Sequence, residues 1–242
     1  MNTLIRIIVT SIISLLMLSC NFSMNLNEGV DGNKNVVTED RNISNTFNAI
    51  KISQGLELQI TQSKAVAIRV EADENLQDLI MTKVENNVLS IYSTENIRRA
   101  ASKKIILSLV DLSSIKATSG SDVSSTNTIN SPNLDVSATS GALITLDVET
   151  KKLDCNSTSG SIITISGKTQ NLVASATSGS NIDAKNLNTE ISNVKSTSGA
   201  NISVNTSKEL TARATSGGVI KYFGNPEKVD KSDSSAGSIK KQ

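Results

Sequence analysis

The chain reads as all-β, a parallel β-helix or closely related β-solenoid with coils of about 20 residues, and three observations carry that reading. Thr-Ser-Gly occurs six times, starting at Thr118, Thr139, Thr158, Thr177, Thr197 and Thr215. A repeat this short cannot bury a core alone, so copies must stack and share one. The residues flanking each copy alternate apolar and polar with period two, the mark of a strand with one buried face. No window carries a 3.6-residue apolar stripe, and the abundance of Ser, Thr, Asn, Val and Ile disfavours helix.

At the N-terminus, Arg6 precedes an apolar run from Ile7 to Leu18 that ends in Ser19-Cys20 and is too short to span a bilayer comfortably. Residues 1–19 have the form of a bacterial lipoprotein signal peptide, with Cys20 as the lipidated residue. Met17 and Leu18 depart from the usual pattern before such a cysteine, and an ordinary cleaved secretory signal is the alternative. Lipidation implies a cell-envelope protein, expected at the outer membrane on either face, with the membrane as partner through the anchor. Residues 20–45, rich in Asn, Gly, Asp and Glu, are expected to be a flexible tether with an end-to-end distance of roughly 28 Å.

From Thr46 the pattern changes to short alternating runs, which predict strands at 47–52, 56–60, 66–70, 79–84, 88–92 and 105–110. Gln54-Gly55, Gln62-Ser63, Asp73-Glu74-Asn75 and Asn86-Asn87 supply turn chemistry between them. Residues 75–79 suit one helical turn, and 94–104 form a long polar and basic loop. No linker separates this part from the repeats. One elongated domain over 46–242 is therefore expected, with an irregular β half (46–115) capping the regular coils (116–226).

Aligned on its glycine, each repeat shows columns. The third residue after glycine is Val123, Ile144, Ile163, Ile182, Ile202 or Ile220, and the fifth is Ser125, Leu146, Ile165, Ala184, Val204 or Tyr222. Both columns are expected to face inward, with Thr145, Thr164 and Asp183 pointing outward between them. Before glycine, Val136, Cys155, Ala174, Val194 and Ala212 continue the inward face, and Leu134, Leu153, Leu172, Ile191 and Leu210 recur at a spacing of 19. Each repeat is thus a strand, a tight corner at glycine, a second strand and a return loop. Tyr222 to Pro226 is expected to close the far end. Residues 227–242 are then a tail or a partial coil with a degenerate Ser235-Ala236-Gly237.

Charge and composition restrict the chemistry. The 24 Lys and Arg lose Arg6 with the signal, leaving 23 against 23 Asp and Glu, a balance that argues against nucleic-acid partners. There is no His, which removes Ser-His-Asp and Cys-His catalysis and the commonest transition-metal ligand. No cofactor is indicated. Cys155 sits in an inward column and is expected to be a small buried hydrophobe. Asp135 and Asp154, each six residues before a glycine, should stack on the outer face of adjacent coils. They are the candidate Ca²⁺ or acid/base pair, against the plainer reading of two solvated carboxylates beside Lys151 and Lys152. The hydroxyls of Thr139, Thr158 and Thr177 are candidate ligand-binding groups, although corner hydroxyls ordinarily bond turn backbone.

The lipoprotein signal, Phe47-Asn48-Ala49-Ile50-Lys51-Ile52-Ser53, Asn87-Val88-Leu89-Ser90-Ile91 and the Ser-Gly-x-x-Ile of 178–182 and 198–202 follow one another in a characteristic order. In this the chain resembles the putative auto-transporter adhesin, head GIN domain family over about residues 45–240. The resemblance implies a β-helical fold, secretion or lipid anchoring in Bacteroidetes-type bacteria and an adhesin-like role, and it carries over no catalytic residue. The expected function is a non-enzymatic envelope lipoprotein that contacts proteins or glycans. A polysaccharide lyase or hydrolase, or a purely structural envelope component, is the alternative.

Overall fold

The computed structural model describes residues 29–43 and 46–242, so Cys20 and the signal segment lie outside the described residues. It is a β-solenoid of about 7 turns with roughly 19-residue coils, 66% strand and 3% helix.

The strands expected between Thr46 and Val110 all form, and two more precede them. Residues 29–43, read from sequence as part of the tether, instead form β1 (Val30–Asp31) and β2 (Val36–Arg41). β3 (Ala49–Ile52), β4 (Glu57–Gln62) and β5 (Ala67–Asp73) follow, then a 3₁₀ turn at Glu74–Leu79 where one helical turn was expected. β2 runs antiparallel to β5. Its own side chains are mostly exposed. It is held instead by polar groups from elsewhere: Gln77 Nε2 donates to the Val37 carbonyl at 3.0 Å, and Arg41 Nη2 donates to the Gln77 carbonyl at 2.8 Å. A segment anchored this way has the composition of a linker, which is why its apolar content did not reveal it. β6 (Ile80–Glu85) and β7 (Val88–Ser93) form a hairpin around Asn86-Asn87, both at positive φ, the primed turn that suits strand twist. The expected loop 94–104 contains β8 (Ile97–Arg99), which pairs in parallel with β1, and leads into β9 (Lys103–Leu109).

Coils do not stack in chain order. β3 and β4 wrap one coil around a corner at Gln54-Gly55, and β7 and β9 stack in parallel on one side of it. The chain then passes back, so that β10 (Ser114–Ala117) and β11 (Asp122–Ser125) stack on the other side of that same first coil. The irregular half is thus threaded into the solenoid as well as capping it.

β12 (Ile129–Ala138), β13 (Leu143–Ser157), β14 (Ile162–Ala176), β15 (Asn181–Ser196) and β16 (Asn201–Ala214) are long bent strands, each stacked in parallel on the next. Ile144, Ile163, Ile182, Ile202 and Ile220 are buried, as are Leu146, Ile165, Ala184 and Val204, which bears out the inward columns except at Ser125, which is half-buried and accepts the Asp147 N–H at 3.0 Å. The leucine column is corrected at one rung. Ser192, not Ile191, lies between Leu172 and Leu210, and Ile191 is 41% exposed. A bulge near Lys185 makes this coil one residue longer than its predecessor, so a fixed spacing of 19 misplaces the isoleucine.

Each Thr-Ser-Gly corner has both Ser and Gly at positive φ, for example Ser178 at 55° and Gly179 at 70°, which makes it a type I′ turn. The glycine N–H donates to the serine carbonyl of the next coil, as from Gly160 to Ser178 at 3.2 Å and from Gly179 to Ser198 at 3.1 Å. Turn backbone is satisfied by this ladder. Tyr222 to Pro226 does not end the solenoid: β17 (Val219–Phe223) is followed by β18 (Lys228–Asp233) and β19 (Ser238–Lys241), which add another coil. Its corner is Ser235-Ala236, with alanine in glycine's place at φ 63°. Opposite Leu210, Ala212 and Ala214 this coil places Val229, Lys231 and Asp233, all exposed. Charges on the core column of a terminal coil discourage a further strand from adding there.

Candidate functional site

Opposite the glycine corner the long strands bend a second time, and the bend leaves a groove of about 760 Å³ along the solenoid side. Its geometry follows from register. One wall is the row Asn130, Glu149, Lys168, Asn188 and Asn205, which are partners on successive coils. The floor is the row Ser131, Thr150, Thr169 and Thr189, and the other wall carries Lys151, Gln170, Glu190 and Ser207. Coils about 4.8 Å apart make this five-coil span roughly 19 Å long. A second cavity of about 470 Å³ continues the groove toward the cap, sharing Asn130, Ser131 and Pro132 and reaching Phe47, Asn87 and Asp111.

Wall charges are mostly compensated. Lys168 pairs with Glu149 at 2.9 Å and Lys208 with Glu190 at 2.7 Å, each across adjacent coils. Floor hydroxyls bond among themselves: Thr150 Oγ1 donates to Thr169 Oγ1 at 2.7 Å, while Thr189 and Thr206 both reach Ser192 Oγ, at 2.6 and 2.7 Å. This network explains why a serine serves at the rung where an isoleucine was expected. The groove was missed from sequence, although Ser131, Thr150, Thr169 and Thr189 all stand ten residues before a glycine. That column was the available signal.

The sequence candidates lie elsewhere. Asp135 and Asp154 do face each other on adjacent coils. Lys152 Nζ sits 2.8 Å from Asp154 Oδ2 and occupies the space beside the pair. Loss of water contact and then the Asp154 charge push the Asp135 carboxyl up, with Lys152 and Lys116 opposing. Among the described residues, no group of three or more His, Cys, Asp or Glu is placed to hold a metal ion. Burial, followed by the Asp135 and Asp154 charges, drives the Cys155 thiol far above its ordinary range, so it is a packing group. Thr139, Thr158 and Thr177 are half-buried, and the exposed corner hydroxyls belong to the serines after them. Inside the corner, Ser161 Oγ donates to the Ala138 carbonyl of the preceding coil at 2.8 Å. The Thr139 and Thr158 hydroxyls themselves lie 3.5 and 3.4 Å from those of Ser140 and Ser159. No helix among the described residues is long and apolar enough to cross a membrane.

A family model described as putative auto-transporter adhesin, head GIN domain, matches residues 46–226, from the first coil through the last Thr-Ser-Gly corner. The chain belongs to that family. A solved structure described as a putative adhesin from Bacteroides fragilis superposes on this head GIN protein with a TM-score of 0.82 at 23% identity, covering 88% of this chain and 100% of its own. A putative adhesin from Parabacteroides merdae gives 0.73 at 20% identity, covering 89% and 99%. A Parabacteroides distasonis protein described as a putative lipid binding protein gives 0.72 at 23%, covering 88% and 99%. At these identities the likeness shows the shared solenoid. No curated protein matches the chain. The head GIN family is designated an adhesin family, as are the first two of these solved neighbours, which points to a cell-surface or envelope setting.

Proposed function

We propose that this head GIN protein is a non-enzymatic envelope module, anchored by lipid on Cys20 at the outer membrane, whose solenoid side contacts envelope proteins or glycans. The open polar groove spread over five coils supports this reading best. Contact over area suits such a surface, whereas hydrolysis or elimination needs titratable groups converging on one reacting atom. The strongest titratable pair, Asp135 and Asp154, lies outside the groove lining and is engaged by Lys152.

Two measurements test it. Cys20→Ala should shift the protein from the detergent-soluble membrane fraction to the soluble fraction or leave an uncleaved precursor; unchanged fractionation without an acyl chain would sink the anchor. The chain from residue 20 onward should be retained on immobilised envelope glycans or outer-membrane proteins and release no product from polygalacturonate, with or without Ca²⁺. Depolymerisation that disappears in an Asp135→Asn, Asp154→Asn double variant would establish an enzyme instead.

A further inference from the structure

The hydroxyls and charges of the groove define what it can hold. After Glu149 with Lys168 and Glu190 with Lys208 are paired, Lys151 is left as the groove cation that has no carboxylate within ion-pair reach among the described residues. Ser131 and Thr150, 9% and 7% exposed, give their protons inward, to the Asn133 carbonyl and to Thr169 Oγ1. On the walls Asn205 Nδ2 donates to Asn188 Oδ1 at 3.1 Å, which leaves the Asn188 N–H₂ as a donor, the Asn205 oxygen as an acceptor and the Gln170 amide as both.

An extended peptide fits this site poorly. β13, β14 and β15, which form the centre, are hydrogen-bonded on both sides, so they offer no free edge to a peptide backbone. The groove lining has no aromatic residue and few apolar ones to seat peptide side chains. A chain of sugar rings needs no free strand edge, and with no aromatic platform in the lining it is held here by polar groups alone. Its hydroxyls match the wall amides, and one ring is about as long as one coil is thick. We propose that the groove binds a linear acidic polysaccharide along the solenoid axis, with a ring carboxylate on Lys151 and ring hydroxyls on the wall amides. This rests on reading the protein as a contact module, and it names the ligand class and the face.

The test titrates an oligogalacturonate of five rings, and a neutral cello-oligosaccharide of equal length, into the chain from residue 20 onward by calorimetry. Lys151→Glu is compared with Lys195→Glu, the same charge change at an exposed position outside the groove lining. Unchanged unfolding midpoints establish that both variants fold. The acidic ligand should bind at least about tenfold more tightly than the neutral one, and Lys151→Glu should weaken it by about tenfold or more. Lys195→Glu should stay within about twofold. Equal losses in both variants would mean general charge attraction, and an unaffected Lys151→Glu or no binding by the parent chain would also overturn the assignment. If any of these occurs while the chain still holds another envelope glycan or protein, the groove assignment falls and the contact-module reading stands.

Discussion

Ile182 is sealed inside the solenoid, whereas Ile191, in the same strand, is 41% exposed. Ile182→Asp should therefore lower unfolding free energy by several kcal/mol, because a carboxylate without a partner must neutralise or open the core. Ile191→Asp should cost less than about 1 kcal/mol. Urea unfolding of the two variants decides the inward face, and equal losses would show that the fixed spacing of 19 sets it after all. Asp73 is a different kind of buried residue. It is fully covered, and its carboxylate accepts N–H bonds from Lys34 at 2.8 Å and from Ala101 and Ser102 at 2.9 Å, tying the β1–β2 connection to the segment before β9. Loss of water pushes this carboxyl up, but the N–H groups of Ser102, Lys34 and Ala101 outweigh that, and its pKa is lowered from 3.8. A lowered folded pKa means that the stabilisation is present above the unfolded value and is lost as pH falls through the folded one. Asp73→Asn should cost about 2 kcal/mol at pH 7, since an amide N–H₂ would face the Lys34 N–H. That difference should shrink below about pH 4, as the parent protonates too. A difference independent of pH from 7 to 2 would show that charge plays no part.

At the scale of one coil, the corner and the bend use glycine for different reasons. Gly179 has φ 70° but nothing within 4 Å of where a Cβ would stand. Gly179→Ala should therefore cost only the left-handed backbone preference, about 1 kcal/mol. Gly167 has φ 104°, and a Cβ there would lie 2.1 Å from the Val148 carbonyl oxygen of the preceding coil. Gly167→Ala adds a clash with backbone that cannot move without breaking the ladder, so the loss should be about 3 kcal/mol or more. Thermal unfolding of the two variants tests this order, and a corner variant that is the less stable of the two would contradict it. The serine before each corner glycine, left-handed at every copy, was not foreseen from sequence. Its carbonyl is the acceptor for the preceding coil's glycine N–H, so its strain is offset only once coils are stacked.

For the whole molecule, stability is close to a sum over coils and their interfaces. Removing residues 161–179 deletes one coil from glycine to glycine and brings Ile144 and Ile182 onto adjacent coils. That variant should still unfold cooperatively, a few degrees lower in temperature. Removing residues 161–169 leaves half a coil with its inward columns out of phase, and it should not fold. Circular dichroism through a thermal ramp distinguishes them, and similar behaviour would refute the coil as the unit of stability. The cap is not interchangeable in this way, because β3 and β4 lie between β7 with β9 on one side and β10 with β11 on the other.

The sequence by itself determined the repeat, the strands, the inward isoleucines and the glycine corners, because alternation and turn conformation are set within a few bonds of each residue. The Asp135 and Asp154 pair was legible for the same reason, being a matter of equal distance from a glycine. Only the tertiary structure decided which coil lies on which, that Val36–Arg41 pairs with β5, and that Ser192 rather than Ile191 faces inward. The groove belongs to that second class. Glu149, Lys168 and Asn188 become one wall only when separate coils are brought into register, and register depends on where a bulge falls and on which apolar faces bury each other across the chain.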